Sequence, residues 1–333
     1  RKMPQITLDR IGSSAFHNAE KNLQYLDCGK SLKELRGLVL KEDPRALVIA
    51  AGPSLHRIQA ADLIQSSGHT GTVIATDSAM YYCLKNGIVP DLVVSLDPHA
   101  TRIARWFGVP GLKASDLVKD DYFVRQDMDP DFSNELKVNE EVLELLERDG
   151  KKIRIALSTS ASEAVVQRAI ESGMKIYWWN PMLDDPSLPD GVTRQLYKLN
   201  NLPCVNAGGN VGSACWMMAG SVLNIRHIAV TGMDFGYYEN TPYKNTQYYY
   251  EAVELVGEEN LDSIYIKVYN PHLQEWFYTD PAYMWYRNCF LEMVAEAGCV
   301  TYNCTEGGIL FGDHIQCIPL GDFLNGSGLI DRP

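Results

Sequence analysis

The chain of 333 residues predicts an α/β fold: a doubly wound, mostly parallel Rossmann-like sheet with an N-terminal helical segment and an aromatic-rich insertion. Three observations predict it. Short continuous apolar runs recur, as buried parallel strands require, because a strand covered on both faces has no polar alternation. Each run ends in Gly, Pro, Ser or Asp, the punctuation of a strand-to-helix turn. Strand and helix patterns alternate from residue 45 to residue 98 without a break, which is the rhythm of a parallel sheet wound in both directions.

Residues 1–42 form the helical segment, in which AEKNLQYLDCGKSLKELRGLV spaces its apolar residues at roughly helical intervals. RALVIAAG, 45–52, is the first strand. Pro53-Ser54 then opens a helix over about 54–66, with Ser54 as its N-cap. GTVIATDSA, 71–79, holds the second strand, and MYYCLKNGI forms a helix at about 79–86 closed by Gly87. PDLVVSLDP, 90–98, is the third strand. The segments 47–51, 72–76 and 92–96 are therefore expected side by side and parallel. KIRIALSTSAS, 152–162, reads as strand and loop, EAVVQRAIESG as a helix and MKIYWWNP as a strand. NAGGNVGSACWMMAGSVLN, 206–224, is a glycine turn entering a helix, and IRHIAVTGMDFGY, 225–237, is another strand. From 238 to 288 the composition shifts to Tyr, Trp and Asn, too aromatic for a linker because such rings favour burial or stacking. A helix in RNCFLEMVAEAG and a strand in VTYNCT follow. The layout is one Rossmann-like domain over 43–325 carrying the insertion at about 238–288.

The net charge of −12 argues against duplex nucleic acid as a partner, because a phosphate backbone rewards basic surfaces. It leaves room for a nucleotide, which needs only a local cluster of N–H groups. No run of eighteen apolar residues predicts a membrane span, and residues 1–9 lack the apolar core of a signal peptide. Most of the eight cysteines sit in apolar runs and none forms a CxxC pair. They read as buried thiols in a reducing cytoplasm, without disulfides; the spacings of Cys299, Cys304, His314 and Cys317 are only loosely zinc-like.

Ligands of open parallel sheets bind outside the carboxyl ends of the strands. That rule brings Gly52-Pro53-Ser54, Thr76-Asp77-Ser78, Ser95, Asp97-Pro98-His99, Ser158-Thr159-Ser160, Asn180, Asp234 and Glu306 to one edge. A helix starting directly after a strand points free N–H groups and its positive dipole end at that edge. Gly52 lets a ligand approach the backbone, and Pro53 has no N–H to lose. Gly208-Gly209-Asn210-Val211-Gly212-Ser213 repeats the device. Two such turns suit a ligand with more than one anionic group, although tight turns by themselves also demand glycine. The GxGxxG and Walker patterns are missing, which argues against a dinucleotide dehydrogenase and a P-loop NTPase. Asp77, Asp97, Asp234 and Glu306 have three readings: Mg²⁺ ligands against a diphosphate, acid and base groups, or helix caps. His99 is the strongest candidate base among the seven histidines.

AAGPSL followed by IATDSAMYYCLKNGIVPDLVVSLDP resembles the domain shared by archaeal MptE-type 6-hydroxymethylpterin diphosphokinases and bacterial motility accessory factor (Maf) flagellin glycosyltransferases. GGNVGSACWMMAGSVLNIRHIAVTGMDFGY resembles the second half of that domain, so the likeness runs from about 45 to 240. The GPSL turn is also similar to one in bacterial sialyltransferases that use CMP-sugars. The resemblance implies a transferase with a nucleotide-activated donor, which is contacted by Gly52, Pro53, Ser54, Asp77, Asp97 and the turn Gly208, Gly209, Asn210, Gly212, Ser213. Ser78 and Asp234 join this nucleotide-binding set as strand-end neighbours. On the first reading the protein is a Maf-like glycosyltransferase that needs no cofactor. It moves a nonulosonic sugar from a CMP-sugar to a protein or glycan hydroxyl, with Asp97 or His99 as base. On the alternative it is a diphosphokinase that transfers diphosphate from ATP with Mg²⁺ held by Asp77 and Asp97. A nucleotide-binding protein without turnover is the third reading. The aromatic segment matches neither family pattern and leaves the acceptor open.

Overall fold

The computed structural model describes residues 2–99, 105–117 and 134–330, with side chains from residue 12 onward. Eight strands build the centre of one parallel sheet: β1 Arg45–Ile49, β2 Thr72–Thr76, β3 Leu92–Ser95, β4 Arg154–Ser158, β5 Lys175–Pro181, β6 His227–Thr231, β7 Val300–Asn303 and β8 Ile315–Cys317. Their order across the sheet is β5-β4-β3-β2-β1-β6-β7-β8. Two short strands complete it: Lys30–Ser31 lies parallel beside Tyr177 and Trp178 of β5, and Cys204–Val205 pairs with the end of β5 at Asn180 and Pro181.

Side chains alternate across β1, as the strand period of two requires. Leu47 and Ile49 join the core under the helices Ala60–Ser67, Asp77–Lys85, Glu135–Asp149 and Glu163–Glu171. Ala46 and Val48 face the opposite core, covered by the helices Val211–Met217 and Pro281–Glu296. Both faces are dry, which is why the strands read as unbroken apolar runs. The strand order reverses between β1 and β6, and that reversal is the switch point where open α/β sheets form a crevice.

The three expected neighbours are adjacent and parallel, with Val48 opposite Ile74 and Ala75 opposite Val93. The helix expected over 54–66 is two helices, Ser54–Arg57 and Ala60–Ser67, because Gln59 between them takes a left-handed φ of 52°. Pro53, not Ser54, occupies the N-cap position of the first. The helix expected at 79–86 spans Asp77–Lys85, capped by the Thr76 side chain.

Residues 1–42 are helical only in part. The helix Lys2–Asn22 is followed by 3₁₀ turns and by the Lys30–Ser31 strand. Two asparagines stitch this helix to the strand ends. Asn18 Nδ2 donates to the carbonyls of Pro98 (3.1 Å) and Ser160 (3.0 Å). Asn22 Nδ2 donates to those of Thr159 (2.8 Å) and Ala161 (2.7 Å). The aromatic-rich segment folds as an antiparallel sheet of Tyr237–Tyr238, Glu275–Thr279 and Ile266–Asn270, with the helix Tyr249–Val256 beside it. Its own small core contains Tyr237, Tyr265 and Tyr278, and Tyr243 stacks on Tyr265 with ring centres 4.2 Å apart. All eight cysteines are free thiols. Among the described residues no helix is long and apolar enough to cross a membrane.

Asn22 is fully buried, and replacing it removes the donor to two carbonyls at once. Asn22→Leu is expected to lower unfolding stability by about 2–3 kcal/mol in urea titrations. A loss below about 0.5 kcal/mol, the ordinary scatter of surface substitutions, would show that the N-terminal helix is not anchored there.

Candidate functional site

A cleft of about 630 Å³ opens along the carboxyl ends of β1 to β6. Its lining includes Gly52, Pro53, Asp77, Ser78, Asp97, Pro98, Ser160, residues 206–212 and residues 232–237, faced by Tyr248, Tyr283, Trp285 and Tyr286. Of the candidates, Gly52, Pro53, Asp77, Ser78, Asp97, Gly208, Gly209, Asn210, Gly212 and Asp234 line the cleft, whereas Ser54, His99, Ser213 and Glu306 do not. Their local geometry divides them into different jobs.

The first turn is closed by the protein itself. Gly52 N–H donates to the Gly232 carbonyl (2.8 Å), and Ser54 N–H donates to Asp234 Oδ2 (3.2 Å). The Ser54 hydroxyl donates to Asp234 Oδ1 at 2.7 Å. Ser54 and Asp234 are both buried, so these amides and this hydroxyl are not offered to a ligand. A Cβ on Gly52 would lie 1.9 Å from Asp234 Oδ1 and 2.4 Å from the Gly232 carbonyl. The glycine is required for close approach of two protein turns, which corrects the expectation that it makes space for a phosphate. Burial pushes the Asp234 carboxyl up to about 7, against the opposing pull of the Ser54 hydrogen bonds and the Arg57 charge.

Asp77 is the first residue of its helix and is also buried. One carboxyl oxygen accepts from the Ser78 amide and the other from the Ser95 hydroxyl, each at 2.8 Å. Burial pushes this carboxyl up to about 7, with the nearby Asp97 charge acting in the same direction. Ser78 Oγ lies 3.0 Å from Thr76 Oγ1. Asp97 differs from Asp77 in being exposed on the cleft rim, where Oδ1 accepts the His99 amide at 2.8 Å. His99 is exposed and outside the cleft lining, so of the two candidate bases only Asp97 reaches the cavity. Glu306 also lies outside the lining, and its carboxylate accepts the Leu320 amide at the start of the Leu320–Leu324 helix (2.9 Å).

Asp77 and Asp97 do not fit a shared Mg²⁺ site. Asp77 has both oxygens buried and engaged, in surroundings that favour its protonated form, whereas Mg²⁺ requires ionised oxygen donors. Among the described residues no three His, Cys, Asp or Glu side chains form a group able to hold a metal ion.

The second glycine turn remains open to the cleft. Gly208 and Gly209 have φ of 62° and 83°, backbone that side chains rarely adopt. Asn210 caps the helix: its Oδ1 accepts the Ser213 amide (2.9 Å) and its Nδ2 donates to the Ser213 hydroxyl (2.8 Å). The helix Val211–Met217 continues without interruption into a π turn, Met218–Val222. Its first two amides, of Val211 and Gly212, have no intrahelical acceptor by position, and both residues line the cleft. A Cβ on Gly209 would meet Trp285 at 2.7 Å and Tyr286 at 2.9 Å, so the turn lies directly against the aromatic helix.

That helix, Pro281–Glu296, supplies the opposite wall. Asp280 caps it by accepting the Ala282 and Tyr283 amides (2.9 Å each), and its other oxygen accepts the Tyr237 hydroxyl (3.1 Å). Burial pushes Asp280 up to about 6. Tyr283 donates to Gln247 Oε1 (2.5 Å), and Tyr248 donates to the Tyr286 hydroxyl (3.3 Å). The helix expected from Arg287 begins six residues earlier, at Pro281, with Asp280 as its cap. The signal was present in TDPAYM, an Asp N-cap followed by Pro at N1.

The family described as 6-hydroxymethylpterin diphosphokinase MptE-like matches residues 13–111, which include β1 to β3 and the turns after them. Among solved structures, that of the MAf glycosyltransferase from Magnetospirillum magneticum AMB-1 is similar over 92% of this chain, with a TM-score of 0.55 and 12% sequence identity. This chain covers 38% of that one. No curated protein matches. The chain thus resembles both groups suggested by its motifs, and its fold is Rossmann-like α/β.

Two outcomes follow from the buried carboxyls. Gly52→Val is expected to destabilise the fold by about 3 kcal/mol or more, the upper range for overpacking, as read by urea unfolding; a variant as stable as the parent would show that the 52–54 and 232–234 turns are not in contact. Asp77 holds its proton in the folded chain to about pH 7, whereas an unfolded aspartate loses it near 4. Between those values the folded protein binds more protons, so stability falls as pH rises, by up to about 1.4 kcal/mol per pH unit for this group. Asp77→Asn should flatten the stability slope between pH 5 and pH 7, and an unchanged slope would contradict the assignment.

Proposed function

We propose that the protein is a transferase acting on a nucleotide-activated donor, specifically a Maf-like glycosyltransferase that moves a nonulosonic sugar from a CMP-sugar to a protein or glycan hydroxyl. One observation carries the reading. A single cleft holds an open glycine turn at a helix start, an exposed carboxylate at its rim and a wall dense in tyrosine hydroxyls. In this reading the donor phosphate lies against the Val211 and Gly212 amides, favoured by the helix dipole. Asp97 takes the proton of the acceptor hydroxyl as that oxygen bonds to the anomeric carbon of the sugar. The bond from that carbon to the phosphate oxygen breaks, and its electron pair leaves with CMP. The tyrosine wall, with Gln247 and Asn245, offers hydrogen bonds to a sugar rich in hydroxyl groups. The free thiols suit a reducing cytoplasm, where we place the reaction.

The family description favours the diphosphokinase alternative, but the burial of Asp77 weakens it, because the paired carboxylates are what that chemistry would draw on for Mg²⁺. A thermal-shift series with CMP, CDP, UDP, GDP, AMP and ATP, each with and without Mg²⁺, separates the readings. A ligand at a hundred times its Kd adds about 2.7 kcal/mol. We expect a CMP shift that is independent of Mg²⁺. A strictly Mg²⁺-dependent ATP shift would replace this proposal with the kinase. Asp97→Asn should keep the CMP shift and lower sugar transfer by about 10²–10⁴, the usual contribution of a general base. Transfer at the parent rate would remove Asp97 from the mechanism, and CMP binding with no transfer from any CMP-sugar would leave a binding protein.

A further inference from the structure

Ser160, in the loop after β4, is fully buried, and its hydroxyl has no hydrogen-bond partner among the described residues. Every other polar group of that loop for which a bond can be traced is engaged. Ser158 Oγ accepts the Ser160 amide (3.1 Å), Thr159 Oγ1 donates to Asn180 Oδ1 (2.6 Å), and the Ser160 carbonyl accepts from Asn18 (3.0 Å). A buried hydroxyl without a partner is a standing cost to the folded state, and such groups call for a specific explanation. Ser160 is also a lining residue of the cleft, so a bound molecule would lie against the loop that carries this hydroxyl.

We propose that Ser160 binds the polar edge of the donor's nucleobase, an inference that rests on the nucleotide-donor reading above. The surroundings suit a flat heterocycle. Leu96, Pro98, Pro181 and Met182 line this end of the cleft, giving apolar surfaces for the faces of a ring. One hydroxyl then supplies both a donor and an acceptor for its edge. The glycine turn follows the strand paired with β5, and its helix packs over β1 to β3. Its first amides and this apolar end therefore border one cleft, as the phosphate and the base of a single nucleotide require.

The test is calorimetry and thermal melting of the full chain and of Ser160→Ala, with CMP and with ribose 5-phosphate, which lacks the base. The variant deletes only an unpaired oxygen, so its Tm should equal or exceed that of the parent. CMP affinity should fall about tenfold, the scale of one buried hydrogen bond, and ribose 5-phosphate binding should not change. Equal CMP affinity in the two proteins overturns the proposal, as does an equal loss for both ligands. A Tm lowered by several degrees also overturns it, by showing that the hydroxyl serves the protein's own hydrogen bonding. If the parent binds no CMP, the donor reading itself fails, and this inference falls with it.

Discussion

The two halves of the sheet meet between β1 and β6, where one buried carboxyl group joins the turns that follow these strands. Asp234 accepts the amide and the hydroxyl of Ser54. The room for it comes from absent side chains: a Cβ on Gly52, Gly307 or Gly308 would fall within 3.1 Å of an Asp234 atom. Burial pushes this carboxyl up to about 7, so below that pH it is enclosed mainly in its protonated form, which lowers the cost of burying it. The contact closes the 52–54 and 232–234 turns on each other at the switch point. The open cavity runs along the ends of β1 to β6, between the sheet edge and the aromatic helix, and the second glycine turn lines it.

The same physics sorts the acidic residues. Asp77, Asp234 and Asp280 are all buried, each accepts amide hydrogen bonds at a turn or helix start, and burial raises all three. They are structural acids that hold the cleft's walls in place. Asp97 stands apart because it is exposed at the rim, where a carboxylate can exchange a proton with an incoming hydroxyl. The aromatic insertion contributes through its hydroxyl network and through the rings of Trp285 and Tyr286 pressed on Gly209.

The fold was legible wherever burial on both faces made a strand uniformly apolar, as in LVI of β1 and VIA of β2. The edge at which the candidates gather followed from the same pattern. Less legible were features set by long-range partners. Ser54 has the form of an N-cap, yet its hydroxyl bonds across the switch point to Asp234, and no local pattern encodes that pairing. Gly52 looks like a ligand-approach glycine, because a turn that must admit a phosphate and one that must admit Asp234 both require the absence of a Cβ. The helix from Pro281 was hidden because one side packs in the core through Phe290 and Val294 while the other turns Trp285 and Tyr286 to the cleft, so its apolar residues show no single stripe. The Lys30–Ser31 and Cys204–Val205 strands are too short for any period to register.

In the proposed function the 206–212 turn receives the donor phosphate, while the 52–54 turn is an internal joint. A crystal structure of the protein soaked with CMP distinguishes the two turns. The phosphate is expected within hydrogen-bonding distance of the Val211 and Gly212 amides, with the Ser54–Asp234 bonds intact. A phosphate bound at Gly52 and Ser54, with Asp234 displaced, would contradict it.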